Sequence, residues 1–334
     1  MTLAALAIDL TLAGSLLLMA VILLTRDNFL QSSVLFIAFG LFTALTWVRL
    51  GAPDIALAEA AIGAGVTGVL LMDAIRHMEW EKNTFSRKWL RSRRSGEAPS
   101  LWMKVGFSGV TMFIGVLLVG AVGQMGDQRP GLAGEAAQRM QDLENPVTAV
   151  LLVFRGLDTW LELGILLLAV LGMLTVRERH GLQAILLAPP RDPILEGGVQ
   201  LLAPLAILTA AYFLWLGTFS AGGAFQSGVV LGATGMLLWL SGHSSINAFP
   251  QWLWKLLMLL GFSVFCLAAA ITLFVSDWML QFPAYFRHYF IVIIEAAAAV
   301  SIGACLAGLF VGQHPGWDAF NRDSKGGEQP EQSR

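Results

Sequence analysis

GAPDIALAEAAIGAGVTGVLLMDAI, residues 51–75, decides the fold. A helix needs about 20 mostly apolar residues to cross the hydrocarbon core of a bilayer, and this run has them. Pro53 suits the first turn of a helix, and Asp54 beside it stands where a carboxylate favours the helix dipole. Asp54 therefore reads as a helix cap. Glu59 follows about 7 Å further along the axis at 1.5 Å per residue, with no basic residue near it in sequence. Such a carboxylate is expensive in lipid. It reads as a step in a proton or cation pathway, or as a buried structural hydrogen bond. Ala56, Ala60, Ala64 and Gly68 recur at every fourth position, a stripe on which another helix can pack closely. Gly63, Gly65 and Gly68 also permit a bulge or local unwinding.

Working outward, eight comparable runs flank this one, near 3–24, 30–49, 101–124, 147–176, 198–216, 222–241, 253–275 and 286–311. With 54–75 they make nine candidate spans. The run at 147–176 is long and interrupted by charge, so it reads as one helix or as a short helix followed by a full one. The first run has no basic segment before it and no small-residue cleavage site, so it is not read as a secretory signal. Of the 334 residues, 56% are hydrophobic and 13% charged. Soluble domains carry about 25% charge. The composition thus excludes water-soluble domains, disorder and a disulfide scaffold, the last because only Cys266 and Cys305 are present. The runs are too long and too evenly apolar for a transmembrane barrel, whose strands alternate over roughly 10 residues. The expectation is an all-α polytopic membrane protein of about nine transmembrane helices.

Lys and Arg set the orientation. Arg76, Lys82, Arg87, Lys88, Arg91, Arg93, Arg94 and Lys104 crowd one loop, which is expected in the cytoplasm. Nine spans then place the N-terminus outside and the C-terminus in the cytoplasm, with 16 of the 21 basic residues inside and four outside. The basic cluster reads as a topology determinant with some anionic-lipid contact, not as a nucleic-acid surface. The Pro-rich LLAPPRDP at 186–193 forms a second linker, and the polar tail 313–334 has the composition of a disordered segment.

Two further places put charge where lipid should be. In NPVTAVLLVFRGLDTWLELGILLL, 145–168, Arg155, Asp158 and Glu162 fall on one helical face. Arg155 can reach Asp158, whereas Asp158 and Glu162 repel unless a cation or a shared proton lies between them. The group reads as a structural ion pair near the outer interface or as a charged step in a polar path. In HYFIVIIEAAAAVSIGACLAGLF, 288–310, Glu295 stands near mid-span with Ala299, Gly303 and Ala307 continuing its face. It reads as a proton-handling group or as a neutral structural hydrogen bond. No His, Cys and carboxylate spacing suits a metal, and no Walker motif, dinucleotide fingerprint or nucleophile elbow occurs. No cofactor and no catalytic site of the chain's own is expected.

These segments resemble a known set of modules. GAPDIALAEAAIGAG resembles the signature of the MbhD-like module. NPVTAVLLVFRGLDTWLELGILLLAVLG resembles the MbhE-like module, and VQLLAPLAILTAAYFLWLGTFSAGGAFQSGVVLGA, 199–233, resembles the MnhB/MrpB module with its glycine-rich hairpin. The implied layout is an MbhD-like part with a basic linker over 1–100, an MbhE-like part over 101–190, an MnhB/MrpB-like part over 191–312 and the tail. The resemblance implies a small subunit of an Mrp-type multisubunit cation/proton antiporter, lying in a bacterial or archaeal cell membrane. Its partners would be large antiporter-like subunits and other small ones, and its ions protons and Na+ or another monovalent cation. The same modules occur in membrane arms of energy-converting hydrogenases. A redox or inorganic-carbon-uptake complex, or a purely structural assembly role, is therefore the alternative. Carried over by motif, Asp54 and Glu59 match the first module, and Arg155, Asp158 and Glu162 the second. Glu295 stands where the third usually has an aspartate, and Gly222 and Gly223 mark its hairpin.

Overall fold

The structure, a computed structural model, describes residues 3–26, 28–72, 74–75, parts of 109–120, 146–180, 193–241, 250–275 and 279–312 except 284. The basic linker, most of the expected fourth span, LLAPPRDP up to Asp192 and the tail lie outside the described residues. The chain divides into two units, 1–70 with 140–334, and 71–139. The following concerns the first.

Among the described residues the secondary structure is entirely helical. The helices are α1 Leu3–Thr25, α2 Phe29–Arg49 and α3 Pro53–Ala58, which runs into a π-helix, π1, at Glu59–Val66. Then come α4 Pro146–Ala149, a second π segment, π2, at Val150–Phe154, and α5 Gly156–His180. They are followed by α6 Pro193–Leu216, α7 Ala224–Leu240, α8 Gln251–Val275 and α9 Arg287–Gly312. Seven helices among the described residues are long and apolar enough to cross a membrane. The nine expected spans exceed this by two. The run 222–241 yields Ala224–Leu240, of 17 residues, and 101–124 lies largely outside the described residues. The chain is a multi-pass membrane protein.

α9 is the axis of the unit. Its most apolar stretch is 72% buried within the chain, whereas that of α1 has no fully buried residue. Lipid tails are as apolar as leucine, so helices in a bilayer associate through close packing rather than through hydrophobic exclusion. The glycines of α7 and α9 provide it. A Cβ on Gly228 would stand 2.7 Å from Ile302 Cβ and 2.9 Å from the Ala299 carbonyl, and one on Gly303 2.8 Å from Leu231 Cβ. On the other side of α9, a Cβ on Gly261 of α8 would meet Ser301 Cβ at 2.8 Å. Ser301 Oγ donates to the Met258 carbonyl at 2.5 Å, tying α9 to α8. Val170, Met258, Ala304 and Cys305 close the core where α5, α8 and α9 meet.

The N-terminal helices pack by the same rule. Asn28 caps α2, its side-chain oxygen accepting from Leu30 N and Gln31 N at 3.0 and 3.2 Å. The stripe Ala56–Gly68 does meet another helix, α2. A Cβ on Gly40 would be 3.3 Å from Ala64 Cβ, and one on Gly68 2.8 Å from Ile37 Cδ1. Asp9 of α1 and Arg49 of α2 form a bidentate pair, at 2.7 and 3.3 Å.

Candidate functional site

The 51–75 run carries both properties offered by its small residues: a packing stripe and an altered backbone. π1 begins at Glu59, and a Cβ on Gly63 would collide with the Glu59 carboxyl. The missing side chain is therefore what lets Glu59 fold back along its own helix. Thr67 closes the π register twice on one acceptor: its backbone N and its Oγ1, at 2.7 Å, both donate to the Ile62 carbonyl. Short π segments are rare and recur at functional positions.

The second charged place is also built on a π segment, but its helix is broken. Arg155 has φ −121° and ψ 28° and is not helical. Of the two expected forms of this run, the structure has the short helix, extended by π2, followed by the full helix α5. Arg155 N donates to the Val150 carbonyl at 2.8 Å, which leaves the Leu151 carbonyl without its usual donor. Thr159 Oγ1 takes that carbonyl at 2.9 Å. The break positions Arg155 one turn before Asp158, and Arg155 Nε reaches Asp158 Oδ2 at 2.6 Å, with Nη2 on the same oxygen. The two side chains remain 64% and 48% exposed, and Glu162 is exposed too. The stripe thus faces outward from this chain. Among the described residues no ion pair joins Arg155 to Glu59.

The third place gathers residues that the sequence scatters. The turn between α6 and α7 is shaped by glycine: Gly223 has φ +117°, and a Cβ on Gly222 would lie 2.5 Å from the Phe213 carbonyl. That carbonyl accepts from both Gly217 N and Gly223 N, at 3.1 and 2.9 Å. Gly222 N, left pointing outward, donates to Asp54 Oδ1 at 3.1 Å. Asp54 sits in the first turn of α3, as its position after Pro53 suggests, and its carboxylate also serves the turn between α6 and α7. Gln226, on the first turn of α7, donates from Nε2 to the Asp54 carbonyl at 3.2 Å. The Glu295 carboxyl completes the group, its Oε1 3.2 Å from the point where a Gly223 Cβ would stand. Glu295 is buried, 6% exposed.

Asp54, Gly222, Gly223 and Glu295, from three distant stretches, therefore share one locus, with Gln226 among them. The Arg155–Glu162 stripe forms another, and Glu59 opens π1 five residues beyond Asp54. Gln226 is the residue that sequence reasoning missed. Its signal was a lone carboxamide one turn past a glycine pair, in GGAFQSG, residues 222–228. Among the described residues no three His, Cys, Asp or Glu side chains gather as a metal site would.

Residues 14–79 match the MbhD family model, named for a component of MBH, and residues 194–313 match the domain related to the MnhB subunit of Na+/H+ antiporter. A chain of the Mrp complex from Dietzia sp. DQ12-45-1b shares the fold, with a TM-score of 0.68 and 19% identity over 97% of this chain. The present chain spans 35% of that one. A chain of the membrane-bound sulfane sulfur reductase (MBS), an archaeal respiratory membrane complex, aligns over 63% of this chain and 97% of its own length, with 20% identity and a TM-score of 0.49. No curated protein matches the sequence.

Proposed function

From a membrane chain whose residues 14–79 match the MbhD model and residues 194–313 the MnhB-related domain, we propose an accessory subunit of an Mrp-type multisubunit cation/proton antiporter complex, supplying intramembrane carboxylates to an ion path. The observation that carries this reading is the meeting of the two modules at charged residues: Asp54 of the first bonds Gly222 and Gln226 of the second, beside buried Glu295. Ionisable groups are retained in membrane segments where they face protein or water and serve ions. In this reading Glu59 and the Arg155–Asp158–Glu162 stripe are further steps. The stripe faces a neighbouring subunit of the large antiporter-like kind, and 101–190 is the MbhE-like module. The translocated cation is Na+ or another monovalent ion, and the N-terminus lies outside a bacterial or archaeal cell membrane.

The test is Glu59→Gln in the whole complex. Na+-driven pH changes in membrane vesicles should be lost or sharply reduced while the complex assembles in normal yield. Normal transport from a normally assembled variant removes Glu59 from the path.

One observation favours a second reading, the membrane arm of a redox complex: the N-terminal module matches a component of MBH rather than of an antiporter. The proteins that copurify decide between the two. Iron–sulfur proteins support the redox arm, and antiporter-like membrane subunits alone support the first reading.

A further inference from the structure

Gln226 has two ends, and the structure fixes which is which. The neighbour at 3.2 Å on one side is the Asp54 main-chain carbonyl, an acceptor only. The nitrogen must face it, because a carboxamide oxygen there would set two acceptors against each other. The carboxamide oxygen is thereby committed to the other side. There it lies 3.7 Å from the position of a Gly223 Cβ, the same point that Glu295 Oε1 approaches to 3.2 Å. Two oxygens thus converge on the space left by a glycine, and neither brings a donor if Glu295 is ionised. Among the described residues Glu295 makes no hydrogen bond or ion pair. The carboxylate nearest to it in this network, that of Asp54, is engaged by Gly222 N. Glu295 is 6% exposed as a residue, and a charge enclosed without a donor beside it is costly.

We infer that Glu295 and Gln226 form a proton-holding site over Gly223, with Glu295 present as the neutral acid and its proton donated to Gln226 Oε1, directly or through one water. The inference rests on reading this locus as part of an ion path, and it names the ion held there as a proton rather than a metal cation. It also gives Gln226 a coupling role. While the proton is present, the carboxamide is satisfied at both ends and α7 is latched to the Asp54 carbonyl at the start of α3. When the proton leaves, two acceptors face each other, one of them anionic. Gln226 can then satisfy Glu295 only by turning its nitrogen over and releasing Asp54. The absence of a Gly223 side chain is what leaves room for the exchange.

Infrared difference spectroscopy on the detergent-purified complex, wild type against Glu295→Gln, tests this without relying on transport. The expected result is loss of the carbonyl stretch of a protonated carboxylic acid, a band that shifts in heavy water. Loss of ionised-carboxylate bands instead overturns the proposal, and so does a Glu295 band that changes when Na+ is added. If Glu295→Gln does not assemble, Gln226→Leu keeps the acid and removes its acceptor. The acid band should then move to higher frequency, and an unmoved band refutes the Gln226 contact. A complex that shows the acid band but has no antiport activity keeps this site and removes the antiporter reading.

Discussion

Glu295 and the Arg155–Asp158–Glu162 stripe carry the same kind of group into the membrane, yet the fold treats them in opposite ways. Glu295 is 6% exposed, enclosed by α7 and the turn before it. The stripe keeps Arg155 64% exposed on a pair that closes on itself. In water that contrast would be ordinary. In a membrane chain the position matters too: Arg155 stands just before the span Gly156–Thr175 and Asp158 in its first turn, where a charge can reach the membrane surface as well as a neighbouring protein. Glu295 is enclosed within this chain, whereas the stripe is open to whatever surrounds it. The chain spans 35% of the Mrp-complex chain that shares its fold, and under the antiporter reading the neighbour is a further part of such an assembly.

The contrast can be broken by substitution. The largest effect is expected from Gly228→Val, on the crossing that holds Glu295's helix against α7. The Ile302 side chain and the Ala299 carbonyl leave no room, so the variant should lose about 3 kcal/mol, seen as a lower unfolding midpoint and lower complex yield. Asp54→Ala should cost about 2 kcal/mol by stranding Gly222 N, measured in the same way. Arg155→Leu should behave differently. The pair is exposed, so the chain itself should lose less than about 1 kcal/mol, while transport by the complex falls about tenfold, equivalent to about 1.4 kcal/mol. If its unfolding midpoint falls as far as that of Gly228→Val, the stripe is an internal element and the contrast fails. The smallest effect is expected from Asp9→Asn, about 0.5 kcal/mol with transport unchanged, because the Asp9–Arg49 pair is exposed and joins only α1 and α2. A large transport loss there would extend the functional surface to α1.

Much of this was legible in the residues. The stripe Ala56, Ala60, Ala64 and Gly68 announced a close helix contact, and α2 provides it through Gly40 and Ile37. Arg155 was within reach of Asp158 by spacing alone, and the pair forms. The charge interruption in 147–176 already offered a short helix followed by a full one, and that alternative forms; what spacing could not show is the π segment before the break, where the Leu151 carbonyl finds Thr159. Nor did Asp54 reveal its true partner. Its position fits the first turn of a helix in every local respect, and only the fold brings it to Gly222, 168 residues further on.

The sequence by itself determined that the chain lives in a membrane, that it is helical, and which few charges need explaining. Those follow from run length and charge fraction, which one strand of residues carries without help. Tertiary structure alone decided which of those charges are enclosed and which face outward, and it brought Gln226 between Asp54 and Glu295. The physical reason is that helical periodicity tells which residues share a face but not what covers it. Burial and hydrogen-bond satisfaction belong to pairs of helices, and the partners here are separated by more than a hundred residues of chain.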